Sequence, residues 1–394
     1  MSIPGKRIAI VTQDPANYGG VLRLVEYIYR RAEAAGLEPE ILHYAKFLEH
    51  PELHASLSNL FRGELNFWPK EKKYQFRGMK ARAIGAWFPE WEPQRLRPNA
   101  IWRKALSKYD SFILVTGSAQ TGLPLVENKK NFIAWVSSIV EDDRRERLDK
   151  SRTMAARLER AGLSSVLRAE LKVLQSASRI LCVSKDTQAR VQKIIDRTTE
   201  RWPFPIDSEK FRPAANQAIA TSRRFLFVGR ADDPRKRIEL FFAACSALRQ
   251  IHPALDFSAT VVSSADPNIH DLRFRAEWVQ NAPDEKLIEL YRTSTALVLT
   301  SEQEGLGIAA MEAMACGLPV ISTRCGGPET FIEDGVSGFF VDDNPESIAK
   351  RMFELATNEL LHSKVSTAAH KRIENNFGEH VWNQKFENML QENN

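Results

Sequence analysis

The chain is predicted to be an α/β protein of two Rossmann-like domains, and three observations carry that prediction. Its 394 residues exceed what one ordinary core fills and suit two domains of about 150–200 residues each. Short apolar, β-branched runs alternate with amphipathic stretches in both halves, as in parallel sheets covered by helices. The stiff segment Trp202-Pro203-Phe204-Pro205-Ile206-Asp207 separates the halves and is the expected hinge. The expected divisions are 1–203, 204–375 and a closing helical segment 376–394. Two such domains facing each other leave a cleft at the carboxyl ends of their strands, where open α/β sheets take ligands.

The first domain opens with Lys6 and Arg7 leading into the strand Ile8-Ala9-Ile10-Val11-Thr12. A loop holding Asn17-Tyr18-Gly19-Gly20 follows, then an amphipathic helix from about Val21 to Ala35, then a strand near Glu40 to His43. This layout lacks the Gly-x-Gly-x-x-Gly fingerprint, so a nicotinamide cofactor is not implied. Residues 44–100, rich in Pro, Trp and charge, read as an irregular insertion particular to this protein. Buried strands are expected at Ser111–Val115, Phe132–Val136 and Arg179–Ser184, with long exposed helices from Glu141 to Ser176 and a helix ending near Ile195. The second domain reads as strands at Arg224–Val228, Phe257–Val262, Ala296–Thr300, Pro319–Ser322 and Gly338–Val341. Helices at Ile238–Ile251 and Asp284–Ser294 lie between them, and a last helix runs from about Gly378 to Gln391.

Bulk properties narrow the class. Hydrophobic content of 43% and charged content of 27% are ordinary for a globular protein. No apolar run approaches a membrane span, and no secretory apolar region opens the chain, so a cytoplasmic protein without a leader is expected. Cys182, Cys245, Cys316 and Cys325 lack paired or metal-site spacing and read as reduced thiols. His43, His50 and His54 lack metal-site spacing on one element and read as structural. Net charge is +5, and the segment 62–82 carries seven basic residues against two acids, with Phe67, Trp68, Tyr74 and Phe76 interleaved. Two readings stay open for it: a solvated face with its aromatics turned inward, or peripheral contact through 61–88 with the inner face of an anionic membrane. Nucleic acid is not an expected partner, because no nucleic-acid module surrounds the stretch.

The chemistry concentrates in Thr300 to Gly317, TSEQEGLGIAAMEAMACG. A short buried strand precedes a Gly-Leu-Gly turn (Gly305, Leu306, Gly307) and a small-residue helix, with Glu304 at the strand mouth and Glu312 on the helix. Free N–H groups and the positive end of a helix suit a diphosphate, and a carboxylate suits two vicinal hydroxyls. The chain has no Asp-x-Asp pair. Charge developing on a leaving diphosphate is therefore expected to be met by cations and backbone dipoles without a metal. Arg230, at a strand end, and Lys236, where a helix begins, are the candidates.

This block resembles the donor-site signature of the retaining glycosyltransferases of family four, which have the GT-B architecture. Gly317 to Ser322, Cys325-Gly326-Gly327-Pro328-Glu329, Asp334-Gly335-Val336-Ser337-Gly338 and Phe227-Val228-Gly229-Arg230 continue the likeness over roughly 175–345. The resemblance implies a nucleotide-sugar donor, no separate cofactor, and a last helix crossing back to the first domain. It implies catalytic roles for Glu304, at the transferred sugar, and for Arg230 and Lys236, at the diphosphate. Donor binding is implied for Glu312, at the ribose, for Gly305, Leu306 and Gly307, and for Gly19 and Gly20 from the first domain. Trp278 to Ala282 would lie under the base. The loop before Lys236 is one residue longer than in many members, which leaves Arg235 and Arg237 open for the lysine's place. Many members carry a histidine after a first-domain strand; here that strand ends at Ser137-Ser138 and no histidine of the chain falls there. The acceptor, by the same resemblance, is a saccharide, a lipid-linked glycan or a small metabolite, in the setting of surface-polysaccharide synthesis. An epimerase or hydrolase of sugar nucleotides and a catalytically silent binding protein are the other readings. The missing histidine weighs against the former, and intact Glu304, Glu312, Arg230 and Lys236 against the latter.

Overall fold

The computed structural model describes residues 5–15, 19–57, 68–150, 152–214, 223–267, 272 and 274–392. The chain forms two compact units: one runs to Pro203 and takes in the chain from Asn383, the other is Phe204–Trp382.

In the first unit, β1 (Arg7–Thr12) pairs in parallel with β2 (Glu38–Tyr44) on one side and β5 (Ser111–Thr116) on the other. These strands are near-continuous apolar runs because helices cover both faces of a parallel sheet. The helix Gly20–Ala34 follows β1 and buries Leu22, Val25, Ile28 and Ala32 at helical spacing. Beyond β5 lie β6 (Ile133–Val136), β7 (Arg179–Cys182) and the two-residue β8 (Glu200–Arg201). The last helix, Glu379–Glu392, sets Phe386 against Tyr27, with ring centroids 5.4 Å apart.

Two expectations for this unit need correction. Residues 44–100 are not irregular throughout: β3 (Glu71–Phe76) and β4 (Met79–Ile84) form an antiparallel hairpin, and β4 pairs in parallel with β2. Arg77 and Gly78 both take positive φ, 48° and 80°, the conformation whose twist suits a two-residue hairpin turn. Arg82 of β4 is 1% exposed and is held by Glu40 at 2.9 Å and Glu71 at 3.0 Å. Burial opposes the charge on Glu40, but Arg82 and Tyr109 outweigh it and keep its carboxyl below the ordinary value. The helices between 141 and 176 are also not wholly exposed: Met154–Ser176 buries Val166, Glu170, Val173 and Leu174 along one stripe.

The second unit holds six parallel strands: β9 (Arg224–Val228), β10 (Ser258–Ser263), β11 (Arg275–Gln280), β12 (Ala296–Leu299), β13 (Val320–Thr323) and β14 (Phe339–Val341). Its core stacks Phe225, Phe227, Phe241 and Phe257 with Leu248 and Met352. Strand β11 was not expected. It is an edge strand with Arg275 and Glu277 at the surface, so it lacks the apolar run that marks a central strand.

Strand order is β3-β4-β2-β1-β5-β6-β7-β8 in the first sheet and β11-β10-β9-β12-β13-β14 in the second. Each sheet grows outward in one direction from its first strand and then restarts on the other side. The reversal falls between β1 and β5, and again between β9 and β12. Loops leaving the carboxyl ends of such a pair diverge to opposite faces and open a crevice. Among the described residues, no helix is long and apolar enough to cross a membrane.

Candidate functional site

The second sheet's reversal point is built by the loops that leave β9 and β12. After Val228 the chain passes Gly229 and Arg230 and makes one tight turn, Pro234–Lys236. Asp233 caps that turn, its carboxylate accepting the Arg235 N–H at 3.1 Å. Arg237 takes a left-handed φ of 51° and the helix Ile238–Ile251 begins. From the other side, the Thr300 hydroxyl bonds the carbonyls of Lys236 and Arg237, both at 3.0 Å. The Glu302 N–H donates to the Arg235 carbonyl at 2.8 Å. These bonds stitch the two loops together and bring Lys236 Nζ to 2.5 Å from Glu304 Oε1. Ser301 Oγ donates to the same carboxylate oxygen at 2.8 Å. The backbone of Glu304 is fixed as well: its N–H donates to the Cys325 carbonyl at 2.8 Å and its carbonyl accepts the Gly327 N–H at 2.9 Å.

The cations are sorted by their partners. Arg230 and Arg235 both bond Asp233, Arg237 bonds Asp343, and Lys236 bonds Glu304. Of the three residues left open for the lysine's place, Lys236 is therefore the one on Glu304. Asp233 is nearly buried, which disfavours its charge. The Arg235 hydrogen bonds and the charges of Arg235, Arg230 and Lys236 outweigh this and hold its carboxyl at about 2. It stays ionised and keeps two guanidinium groups at the strand end. Burial and the nearby Glu304 carboxylate push the Cys325 thiol up, so it remains a thiol.

The turn after Glu304 is shaped by close approach. Gly307 has φ 86°, and the Leu306 side chain is buried. A Cβ at Gly327 would stand 2.5 Å from the Leu306 backbone, so only glycine admits this packing. The helix Ile308–Ala315 then begins. On it Glu312 is 5% exposed, and the Tyr291 hydroxyl donates to it at 3.3 Å. Trp278, on β11, donates its indole N–H to the Ser263 carbonyl at 3.1 Å. Ser263 Oγ accepts the Ala231 N–H at 3.0 Å, which ties the loop after β10 to the loop after β9.

The remaining candidates lie in the first unit. Gly19 precedes the helix Gly20–Ala34, and its carbonyl accepts the Leu22 N–H at 3.1 Å. Asn17 and Tyr18 lie outside the described residues, as do 61–67 of the basic, aromatic stretch and His270. The Ser137 hydroxyl donates to the Thr116 carbonyl at 3.3 Å, so it serves the loop between β5 and β6. His43 is buried against Tyr74, Nε2 to hydroxyl 2.8 Å, and burial lowers its pKa. Among the described residues no group of three or more His, Cys, Asp and Glu is placed to hold a metal.

Three contributors escaped the sequence reading. Ser301 stands three residues before Glu304, so the Ser-x-x-Glu spacing was a usable signal. Asp233 anchors two arginines, Arg230 and Arg235. Tyr291 reaches Glu312 from a different helix and has no local signature. Gly327, quoted above as part of the resembling block, is called for by a contact with Leu306.

Comparison with known proteins addresses the same region. The profile of the family described as "Glycosyl transferases group 1" matches residues 222–358. A "D-inositol 3-phosphate glycosyltransferase" of Frankia alni is 31% identical over 201 residues, 44% of this chain and 48% of the relative. The protein of the same name from Salinispora arenicola is 30% identical over 216 residues, 46% of this chain and 47% of that one. The chain thus spans about half the length of the curated relatives it matches. Among solved structures, sucrose-phosphate synthase from Thermosynechococcus elongatus superposes with TM-score 0.71 at 17% identity, covering 98% of each chain. Anabaena HepE in complex with UDP and glucose gives TM-score 0.72 at 15% identity, covering 98% of this chain and 100% of that one. At such identities the likeness is one of fold. Residues 222–358 thus match the group 1 glycosyl transferases, and the chain has the two-sheet α/β fold of the GT-B glycosyltransferases.

Proposed function

We propose that the protein transfers a sugar from a nucleoside-diphosphate donor to a hydroxyl acceptor with retention at the anomeric carbon. The observation that carries this reading is the Lys236–Glu304 pair at the β9/β12 reversal, beside the turn Gly305–Gly307 and the start of the helix Ile308–Ala315. Lys236 and Arg230 neutralise the diphosphate as it leaves, which is where charge develops in the transition state. Glu304, oriented by Ser301, accepts hydroxyls of the transferred sugar, and Glu312 accepts the two ribose hydroxyls. Gly305, Leu306 and Gly307 present backbone N–H groups to the sugar and phosphate. Trp278 to Ala282 receive the base. The bond from the anomeric carbon to the phosphate oxygen breaks while a bond to the acceptor oxygen forms on the same face. The acceptor proton passes to the departing phosphate oxygen, so no metal and no protein base is needed in this scheme.

The names of the relatives and the UDP and glucose of HepE support a nucleotide-sugar donor and a polyol or saccharide acceptor. A lipid-linked acceptor, a role in surface polysaccharide synthesis and a cytoplasmic location with peripheral membrane contact through 61–88 complete the proposal. Trp68 and Phe88, exposed by 71% and 42%, favour the contact, since exposed aromatics gather at membrane interfaces.

A thermal-shift screen of UDP, GDP, ADP, CMP and dTDP without metal tests the donor site. A nucleotide at 100 times its Kd should stabilise the wild type by about 2.7 kcal/mol and should leave Glu312→Ala unshifted. Failure of every nucleotide to shift the wild type would sink the reading.

A further inference from the structure

In the proposed reaction Lys236 serves the diphosphate and Glu304 the transferred sugar, yet in the structure each is the other's partner. Lys236 Nζ donates to Glu304 Oε1 at 2.5 Å, and the two side chains are 22% and 10% exposed. A pair withdrawn this far from water is screened less than a surface pair. The two partners are not equally free to move. Ser301 Oγ donates to the same Glu304 Oε1 at 2.8 Å, and Ser301 is buried. The Glu304 backbone is held by Cys325 and Gly327. Lys236 is fixed at its backbone: its N–H donates to the Asp233 carbonyl at 2.9 Å, and its carbonyl accepts the Thr300 hydroxyl at 3.0 Å. Its ammonium, by contrast, stands at the end of a long flexible stem. Gly229 offers that stem no side chain; a Cβ there would stand 3.7 Å from Lys236 Cδ. Parting the pair is therefore a swing of the lysine that leaves the carboxylate in place. The neighbouring cations differ in this respect. Arg230 and Arg235 share Asp233, and Arg237 bonds Asp343; neither of those carboxylates has a part in the proposed donor site.

We propose that Glu304 sets a preference for the sugar-bearing donor over the bare nucleoside diphosphate, by competing with the diphosphate for Lys236. The inference rests on the glycosyl-transfer reading above. A diphosphate that draws Lys236 away leaves a largely buried carboxylate without its cation, which opposes binding. Sugar hydroxyls that donate to Glu304 offset this loss. Diphosphate and sugar are therefore bound with a positive coupling. Transfer takes the sugar off the nucleotide, and Glu304 then reclaims Lys236. The product diphosphate is held less tightly than the donor was, so the carboxylate that orients the substrate also favours product release, a step that limits turnover in many enzymes.

The test is isothermal titration calorimetry without metal on UDP, GDP, ADP and dTDP, each alone and as its glucose, galactose and mannose esters. Wild type, Glu304→Gln and Glu304→Asp are compared, and binding is the readout because turnover falls in any variant at the sugar. Glutamine removes the competing charge. Aspartate keeps the charge and withdraws it from Lys236 by one methylene. Both variants should bind the nucleoside diphosphate that the wild type takes about fivefold or more tightly than the wild type does. The wild type should bind one of its esters about fivefold or more tightly than the bare nucleotide, and both variants should lose that preference. No gain for the bare nucleotide in either variant overturns the proposal. A gain confined to Glu304→Gln also overturns it, since simple repulsion by the carboxylate then explains the effect. So does a wild type that prefers no ester. Failure of every nucleotide to bind the wild type instead marks failure of the donor reading.

Discussion

Both sheets reverse strand order beside their first strand, and they differ in what they place there. In the second, the loops past β9 and β12 bring Arg230, Asp233, Arg235, Lys236 and Glu304 into a network of paired charges. In the first, the loops past β1 and β5 bring Gln13 and Gly117 beside Asp143 and Ser138. The strand order is reversed in both cases, and the loop residues set the charge of each place. Cations beside a strand end match the diphosphate leaving group of the proposed reaction.

The largest effect that would expose this difference comes from the cation. Lys236→Ala should lower kcat by about 10²–10³, the range for loss of one group that stabilises developing negative charge. Steady-state kinetics with both substrates varied checks this. A kcat loss below about threefold in Lys236→Ala would remove Lys236 from the stabilisation of the leaving group.

A second difference is in pH response. Glu170, behind the first sheet's strand ends, is raised by burial to about 7 from an ordinary 4.5, against the opposing hydrogen bonds from Val140 and Ala119. Its folded pKa lies above its unfolded one, so the native state binds the proton more tightly. Its contribution to stability is complete below about 4.5 and is lost as pH rises through 7. Urea denaturation of the wild type should therefore show stability falling by about 3 kcal/mol from pH 4.5 to 7.5 relative to Glu170→Gln. Parallel curves for the two proteins across that window would show that Glu170 is ionised in the fold.

Which of these features the sequence discloses depends on how far apart their partners lie. The central strands show themselves because Ile8-Ala9-Ile10-Val11 and Ala296-Leu297-Val298-Leu299 are buried on both faces, and burial on both faces leaves an apolar run. The hairpin Glu71–Ile84 hides because its strand β4 carries the buried Arg82, whose carboxylate partner Glu40 is 42 residues away. An edge strand such as β11 hides for want of an inward apolar run. At the candidate site, Glu304 and Glu312 stand out because a glycine turn and a small-residue helix frame them. The partner of Glu304 is harder to fix: Lys236 lies 68 residues away, so Arg235 and Arg237 stayed open beside it. Nothing local links Gln13 to Asp143, because nothing in the chain places them together until β1, β5 and β6 align.

The finest comparison is between two glycines, one beside each crevice. A Cβ at Gly327 would meet the carbonyl carbon, Cα and oxygen of Leu306 at 2.5 Å. Backbone on that side cannot swing away as the end of a flexible side chain does, so the turn Gly305–Gly307 has to shift. Gly327→Ala should cost about 1–3 kcal/mol, the range for overpacking, and lower Tm by about 2–4 °C for each of them. It should also weaken the nucleotide shift, because the displaced turn carries the backbone N–H groups assigned to the donor. Gly117→Ala meets its neighbours at 3.4 and 3.7 Å, and both are side-chain oxygens. Its stability should match or exceed that of the wild type, by up to about 1 kcal/mol, through lost chain entropy in the unfolded state. Differential scanning calorimetry with and without nucleotide reads both. A Gly117→Ala protein as unstable as Gly327→Ala would mean that glycine at 117 serves packing.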